Sequence, residues 1–220
     1  MCGGSKNPNV RDMRILALEL STQQGSVAWI ENDQVLFDRT FANDRKHSGL
    51  FFESLQNCLK QNGQPDVIVV GLGPGSYAGV RIAIATAVGV RAAAAAKLVG
   101  LPSICAIETE AQDYCVIGDA RRDSFFFGRI SHGKLTEGPS LYSNEELGAR
   151  LLKVDLPIFV SESLPLFPRA TLAWPSAKNL AGLARDQISE ITDSQSLEPI
   201  YLREPHITVP KVPTRVSTKR

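Results

Sequence analysis

The chain has 220 residues, 43% of them hydrophobic and 21% charged, with a formal net charge of +1. That balance suits a globular protein with a real core, built as one larger domain or two small lobes. It excludes a global electrostatic field for nucleic acid or membrane, so only a local patch could do that work.

The first twelve residues, MCGGSKNPNVRD, read as a loose polar leader without the apolar core of a signal peptide. No window approaches 18 uninterrupted apolar residues, so no membrane association is expected. Four cysteines, Cys2, Cys58, Cys105 and Cys115, form no CxxC pair. Such dispersal reads as a reducing cytoplasm rather than a disulfide scaffold or a zinc site.

From Arg14 the elements follow closely. RILALEL is a short apolar strand, STQQG a turn, SVAWIE a second strand, NDQ a tight turn and VLFDRTF a third strand. Residues 47–61 carry Phe51, Phe52, Leu55, Cys58 and Leu59 within one stripe of a helical wheel, and Gly63 is placed to stop that helix. DVIVVGLG reads as a buried strand. A helix is expected over 76–97.

The second half repeats this order. YCVIGDA, SFFFGRIS and GKLTEG read as strands, SNEELGARLLK as a helix capped by Ser143, PIFVSE as a strand and AKNLAGLARDQIS as a helix. The expectation is an α/β protein of two similar lobes, each a mixed sheet with flanking helices, and a cleft between them. Residues 13–110 form the first lobe and 111–204 the second. PHITVPKVPTRVSTKR, within residues 205–220, reads as a flexible tail with four basic residues and no acid, and as a candidate nucleic-acid arm.

The stretch GLGPGSYAGVRIAIATAVGVRAAAAAK, Gly71 to Lys97, raises two readings. Gly73, Gly75 and Ser76 at a helix N-terminus could offer amides and a positive dipole end to a phosphate. Alternatively, Gly73-Pro74-Gly75 makes the sharp turn and Ser76 caps the helix. Gly73, Gly75 and Ala78 match GxGxxA, but no acid follows about 20 residues later, and no Lys-Ser or Lys-Thr pair closes a Walker loop. In the helix beyond, the charges Arg81, Arg91 and Lys97 do not share one face, and nine of 22 residues are alanine. A helix this apolar needs cover from a second lobe or a partner chain.

ILALELSTQQGSVAWI, HSGLFFESL, VGLGPGSYAGVRIAIATAVGV, DARRDSFFFGRI and EPIYLRE, in that order, resemble the TsaB (YeaZ) family, and GPGSYAGVRI is similar to its signature GPGSFTGLRI. The resemblance spans about Arg14 to Glu204. It implies a duplicated ribonuclease-H-like (actin-like ATPase) fold. It also implies an accessory role in forming threonylcarbamoyladenosine at position 37 of tRNA, beside a catalytic TsaD-type ligase and a TsaE-type ATPase. tRNA would be met indirectly through the complex, a homodimer could form when TsaD is absent, and no cofactor would be held tightly. ATP or ADP at the complex interface is a candidate.

The implied partner interface draws on His47, Phe51, Phe52, Leu55, Ser76, Tyr77, Arg81 and Ala85. Where the family has Asp in LDTST, this chain has Glu19; an acid there can handle metal and nucleotide phosphates in the superfamily, or can simply bond locally. TsaD-type enzymes bind metal through HxxxH; here His47 is followed four residues later by Phe51, so that site is not expected. Asp119, Arg121 and Arg122 either contact phosphate or form a solvated turn. Cys58 reads as core or interface filler. No catalytic residue is expected. The alternatives are an ATP-binding phosphotransferase or ATPase of the same superfamily and, behind it, a metallopeptidase.

Overall fold

The computed structural model describes residues 13–43, 48–187 and 197–203. The leader 1–12, His47 and the tail 205–220 lie outside the described residues.

Strands β1 (Ile15–Glu19) and β4 (Val67–Gly71) are buried along their whole length, and they pair in parallel at the centre of the first sheet. Continuous apolar runs are what a strand covered on both faces requires. β2 (Gln24–Glu31) pairs antiparallel with β1, and β3 (Gln34–Ala42) pairs antiparallel with β2 and forms an exposed edge. β5 (Lys97–Leu101) closes the other edge, giving the order β3-β2-β1-β4-β5.

The second sheet repeats this plan. β6 (Asp113–Asp119), β7 (Ser124–Ser131) and β8 (Lys134–Ser143) are antiparallel neighbours, and β9 (Ile158–Val160) and β10 (Thr171–Leu172) continue in parallel. Read from β8, the order matches the first sheet strand for strand. Even the hairpins agree. Asn32-Asp33 and His132-Gly133 each place two residues at positive φ, as a two-residue turn between right-twisted strands demands. The expected duplication is therefore present in the topology.

Helix α1 (Ser48–Asn62) stops at Gly63, whose φ of +85° lets its amide bond Leu59 O. Helix α2 (Tyr77–Ala94) starts at Ser76, whose hydroxyl accepts from the Gly79 amide. It ends three residues earlier than the sequence suggests. Ala95 takes the left-handed conformation, and Lys97–Leu101 pairs with β4 as β5. The edge strand wins over the helical propensity of the alanine run. Helix α3 (Asn144–Leu151) carries a full capping box between Ser143 and Glu146.

α1 and α2 share one face of the first sheet, where Phe51, Leu55 and Cys58 meet Ala83 and Ala87 over Leu16, Leu18, Val27 and Trp29. The opposite face is covered by α4 (Ala177–Asp186), whose Ala177, Leu180, Ala181 and Ala184 pack on Ile15, Ala17, Ala28, Val67 and Val69. This corrects the division at 110/111. The last helix, expected to complete the second lobe, returns to the first. The second lobe in turn has no counterpart of α2, since residues 161–170 hold no helix.

Candidate functional site: the interlobe cleft and the open face of the second helix

The glycine loop stands where the first sheet meets the cleft. The Ser76 amide donates to Ser21 O (2.6 Å) and the Gly73 amide to Ser103 Oγ (3.0 Å). With Gly79 N bonded to Ser76 Oγ, three of the loop's donors face the protein. A Cβ on Gly75 would sit 2.1 Å from Ser21 O, and one on Gly79 2.0 Å from Leu20 O. The glycines thus let the start of α2 lie directly on the end of β1. Gly73 and Pro74 are buried, while Gly75 and Ser76 are exposed at the cleft.

Glu19 is 0% exposed. Its Oε1 accepts from the Ser21 amide (2.6 Å), while Oε2 has no hydrogen-bond partner. Burial pushes its carboxyl above the usual carboxylate range, against the opposing pull of its bonds to Ser21. A Cβ on Gly71 would fall 1.8 Å from Oε2, so the carboxyl fills the space beneath the loop and is not part of the cleft lining.

The cleft has a volume of about 630 Å³. Ser21, Thr22, Gln23, Gly75 and Tyr77 line it from the first lobe, Asp119, Arg121 and Glu162 from the second. Asp119 accepts from the Arg121 amide (2.6 Å) and side chain (2.8 Å), and its own amide donates to Glu162 Oε1 (3.1 Å). Arg121, Arg122 and Asp123 all take positive φ, a conformation that non-glycine residues rarely hold in succession. Neither that backbone nor the place of Pro199–Arg203 in the cleft lining is legible in the sequence.

The expected interface residues separate into three groups. Phe51 and Leu55 are buried in the first-lobe core, which corrects their assignment to a partner surface; a core-facing stripe and an interface stripe look alike on a wheel. Cys58 joins that core, where burial pushes its thiol up to about 12. Ser76 and Tyr77 line the cleft. Phe52, 53% exposed, remains on the outer surface together with Arg81 and Ala85.

Ala78, Ile82, Ala85, Gly89 and Ala92 are all exposed, at alternating spacings of four and three. Such a row runs straight along one side of a helix. Leu50 on α1 and Val88 on α2 are further exposed apolar side chains. By length and composition α2 could cross a membrane, but Gly79, Val80, Ala83 and Ala87 are buried against its own sheet. Among the described residues no group of three or more His, Cys, Asp or Glu side chains could hold a metal ion.

The family model for TsaD, tRNA N6-adenosine threonylcarbamoyltransferase, matches residues 40–142. The uncharacterized proteins Mb3455c of Mycobacterium bovis and Rv3421c of Mycobacterium tuberculosis are each 31% identical over 200 residues, 87% of this chain and 92% of theirs. YeaZ from Pseudomonas aeruginosa superposes with a TM-score of 0.69 at 22% identity, over 86% of this chain and 100% of that one. The chain belongs to one family with these mycobacterial proteins and has the fold of YeaZ. A second Pseudomonas aeruginosa structure, of a protein with similarity to peptidase YeaZ, gives 0.72 at 22% identity. Within this fold, the loop GPGSYAGVRI is the stretch that joins β1, the cleft and α2 in one close contact.

Proposed function

We propose that this chain is a TsaB-type, non-catalytic, cytoplasmic subunit of a tRNA-modifying complex that forms threonylcarbamoyladenosine at adenosine 37. It acts by docking onto a TsaD-type ligase, with a TsaE-type ATPase joining the pair. The observation that carries this reading is the uncovered row on α2, Ala78, Ile82, Ala85, Gly89 and Ala92, with exposed Phe52 on α1. Small side chains let a partner helix approach closely, and Ile82 and Phe52 supply apolar anchors that favour burial.

The partner is a TsaD-type subunit, or a second copy of this chain when TsaD is absent. ATP or ADP is assigned to the complex interface rather than to a tight site on this chain. Docking favours a TsaD conformation competent for transfer, which needs only a few kcal/mol of differential binding.

Phe52→Asp and Ala85→Asp test the surface. Both side chains are exposed, so circular dichroism should be unchanged, while an unpaired charge in a desolvated contact should weaken association at least tenfold. Reconstitution with TsaD, TsaE, ATP, tRNA and threonylcarbamoyl-adenylate, followed by nucleoside analysis, reads the role. Full-rate modification without this chain, or unchanged co-elution of both variants with TsaD, would overturn the proposal.

A further inference from the structure

The segment Leu197–Arg203 straps the two lobes together. Leu197 packs on the first-lobe core, Ile200 N donates to Leu72 O (2.8 Å), and Leu202 packs among Ile104, Tyr114 and Phe126 of the second-lobe side. Between these anchors the strap places Tyr201 against Tyr77, ring centroids 5.6 Å apart and planes 33° from parallel. Both rings line the cleft mouth, and both are about half exposed, at 45% and 54%. An anchored aromatic pair with this much open ring surface is a stacking platform without a third layer.

Cations surround it. The Arg81 guanidinium lies 5.1 Å from the Tyr77 ring centroid and donates to its hydroxyl. Arg203 lines the mouth from the strap, and Arg121 from the opposite lobe with its side chain 80% exposed. Arg122 follows on the same left-handed turn and has no ion-pair partner among the described residues. The cleft carboxylates are engaged locally, Asp119 by Arg121 and Glu162 by the Asp119 amide. Two residues beyond Arg203 the sequence enters Pro205–Arg220, which carries Lys211, Arg215, Lys219 and Arg220 and no acid. These sixteen residues hold the whole positive excess of a chain whose net charge is +1.

We propose that the cleft mouth formed by Tyr77, Tyr201, Arg121 and Arg203, with Arg122 exposed on the adjoining turn, is a contact surface for single-stranded RNA. Unpaired bases stack on the tyrosine pair, and the arginines meet the adjoining phosphates. The inference deepens the tRNA-modification reading and rests on it for the class of RNA. It uses the cleft end of α2 and the strap, not the outer row proposed to dock TsaD.

The test is fluorescence anisotropy of the full chain with a labelled anticodon stem-loop RNA, beside the same RNA annealed to its complement. Binding should weaken with salt, and the open loop should bind at least several-fold tighter than the duplex. Tyr201→Ala should weaken binding roughly tenfold, and Tyr201→Phe, which keeps the ring and reports on the strap's integrity, should restore it. Arg122→Ser should cost a few-fold and lower the salt slope by about one. No binding at low salt, equal binding of loop and duplex, or unchanged affinity in Tyr201→Ala and Arg122→Ser would overturn the proposal. Competition by polyglutamate as strong as by RNA would also overturn it, in favour of an acidic protein partner. Co-elution with TsaD, measured on the same variants, separates the two readings. RNA binding without docking sinks only the scaffold, and docking without RNA binding sinks only this site.

Discussion

Glu19 shows what one methylene does in a confined place. Extended beneath Gly71, its carboxyl takes the Ser21 amide on Oε1 and has only the Ser21 and Ser103 hydroxyls as further polar neighbours in a fully buried site. Water is a better solvent for that charge than this pocket, so its proton is held more tightly in the folded chain than in the unfolded one. Below the unfolded value of about 4.3 both states are protonated and nothing is lost. As pH rises from there to the raised folded value, ionisation favours the unfolded chain and stability declines. Glu19→Gln keeps an acceptor for Ser21 N and removes the titration. At pH 8 it should raise the Tm, and at pH 4 the gain should vanish. Thermal melts at the two pH values decide it, and a gain of equal size at both would refute the linkage.

At the scale of the element, α2 has two kinds of glycine. Gly79 faces Leu20 O so closely that an alanine Cβ would lie 2.0 Å from it, whereas a Cβ at Gly89 meets nothing within 4 Å. Gly79→Ala should cost about 1–3 kcal/mol by forcing the helix start away from β1. Gly89→Ala should raise stability by about 0.5–1 kcal/mol through helix propensity. Urea midpoints moving the same way for both would contradict this placement. The contrast also marks what the sequence makes legible. Gly63, Ser76 and Ser143 announced their helix ends, because a cap is a local event between neighbours. Phe51 and Leu55 announced an apolar stripe but not what covers it, because that depends on the fold around them. The alanine run read as helix to Lys97, since propensity cannot register an edge of β4 waiting for a strand. Likewise the glycine signature was visible as a motif, while its close approach to Leu20 and Ser21 required the tertiary contact.

At the scale of the whole molecule, the duplicated sheets are not two separable halves. Helix α4 lies beyond the second sheet in sequence, yet it covers the face of the first. The Ala177 amide bonds Ser26 Oγ (2.8 Å), and the Asn179 side chain bonds Ile107 O (3.0 Å), fixing the returning helix at both sheet and connector. A fragment ending at residue 110 would leave Ile15, Ala17, Ala28, Val67 and Val69 without that cover. It should bind a hydrophobic dye and melt without a sharp transition, because one apolar face of its sheet meets water. In the full chain, Leu180→Ala removes a side chain with 0% exposure and should cost about 2–5 kcal/mol. Because that cost falls on the first sheet while Leu183 of the same helix packs against the core that holds Tyr114 and Val116, hydrogen exchange should quicken in β1 and β4 together with β6. Exchange confined to α4 itself, or a cooperative, dye-free melt of the fragment, would show that the lobes fold independently and that α4 merely rests on a sheet already stable without it.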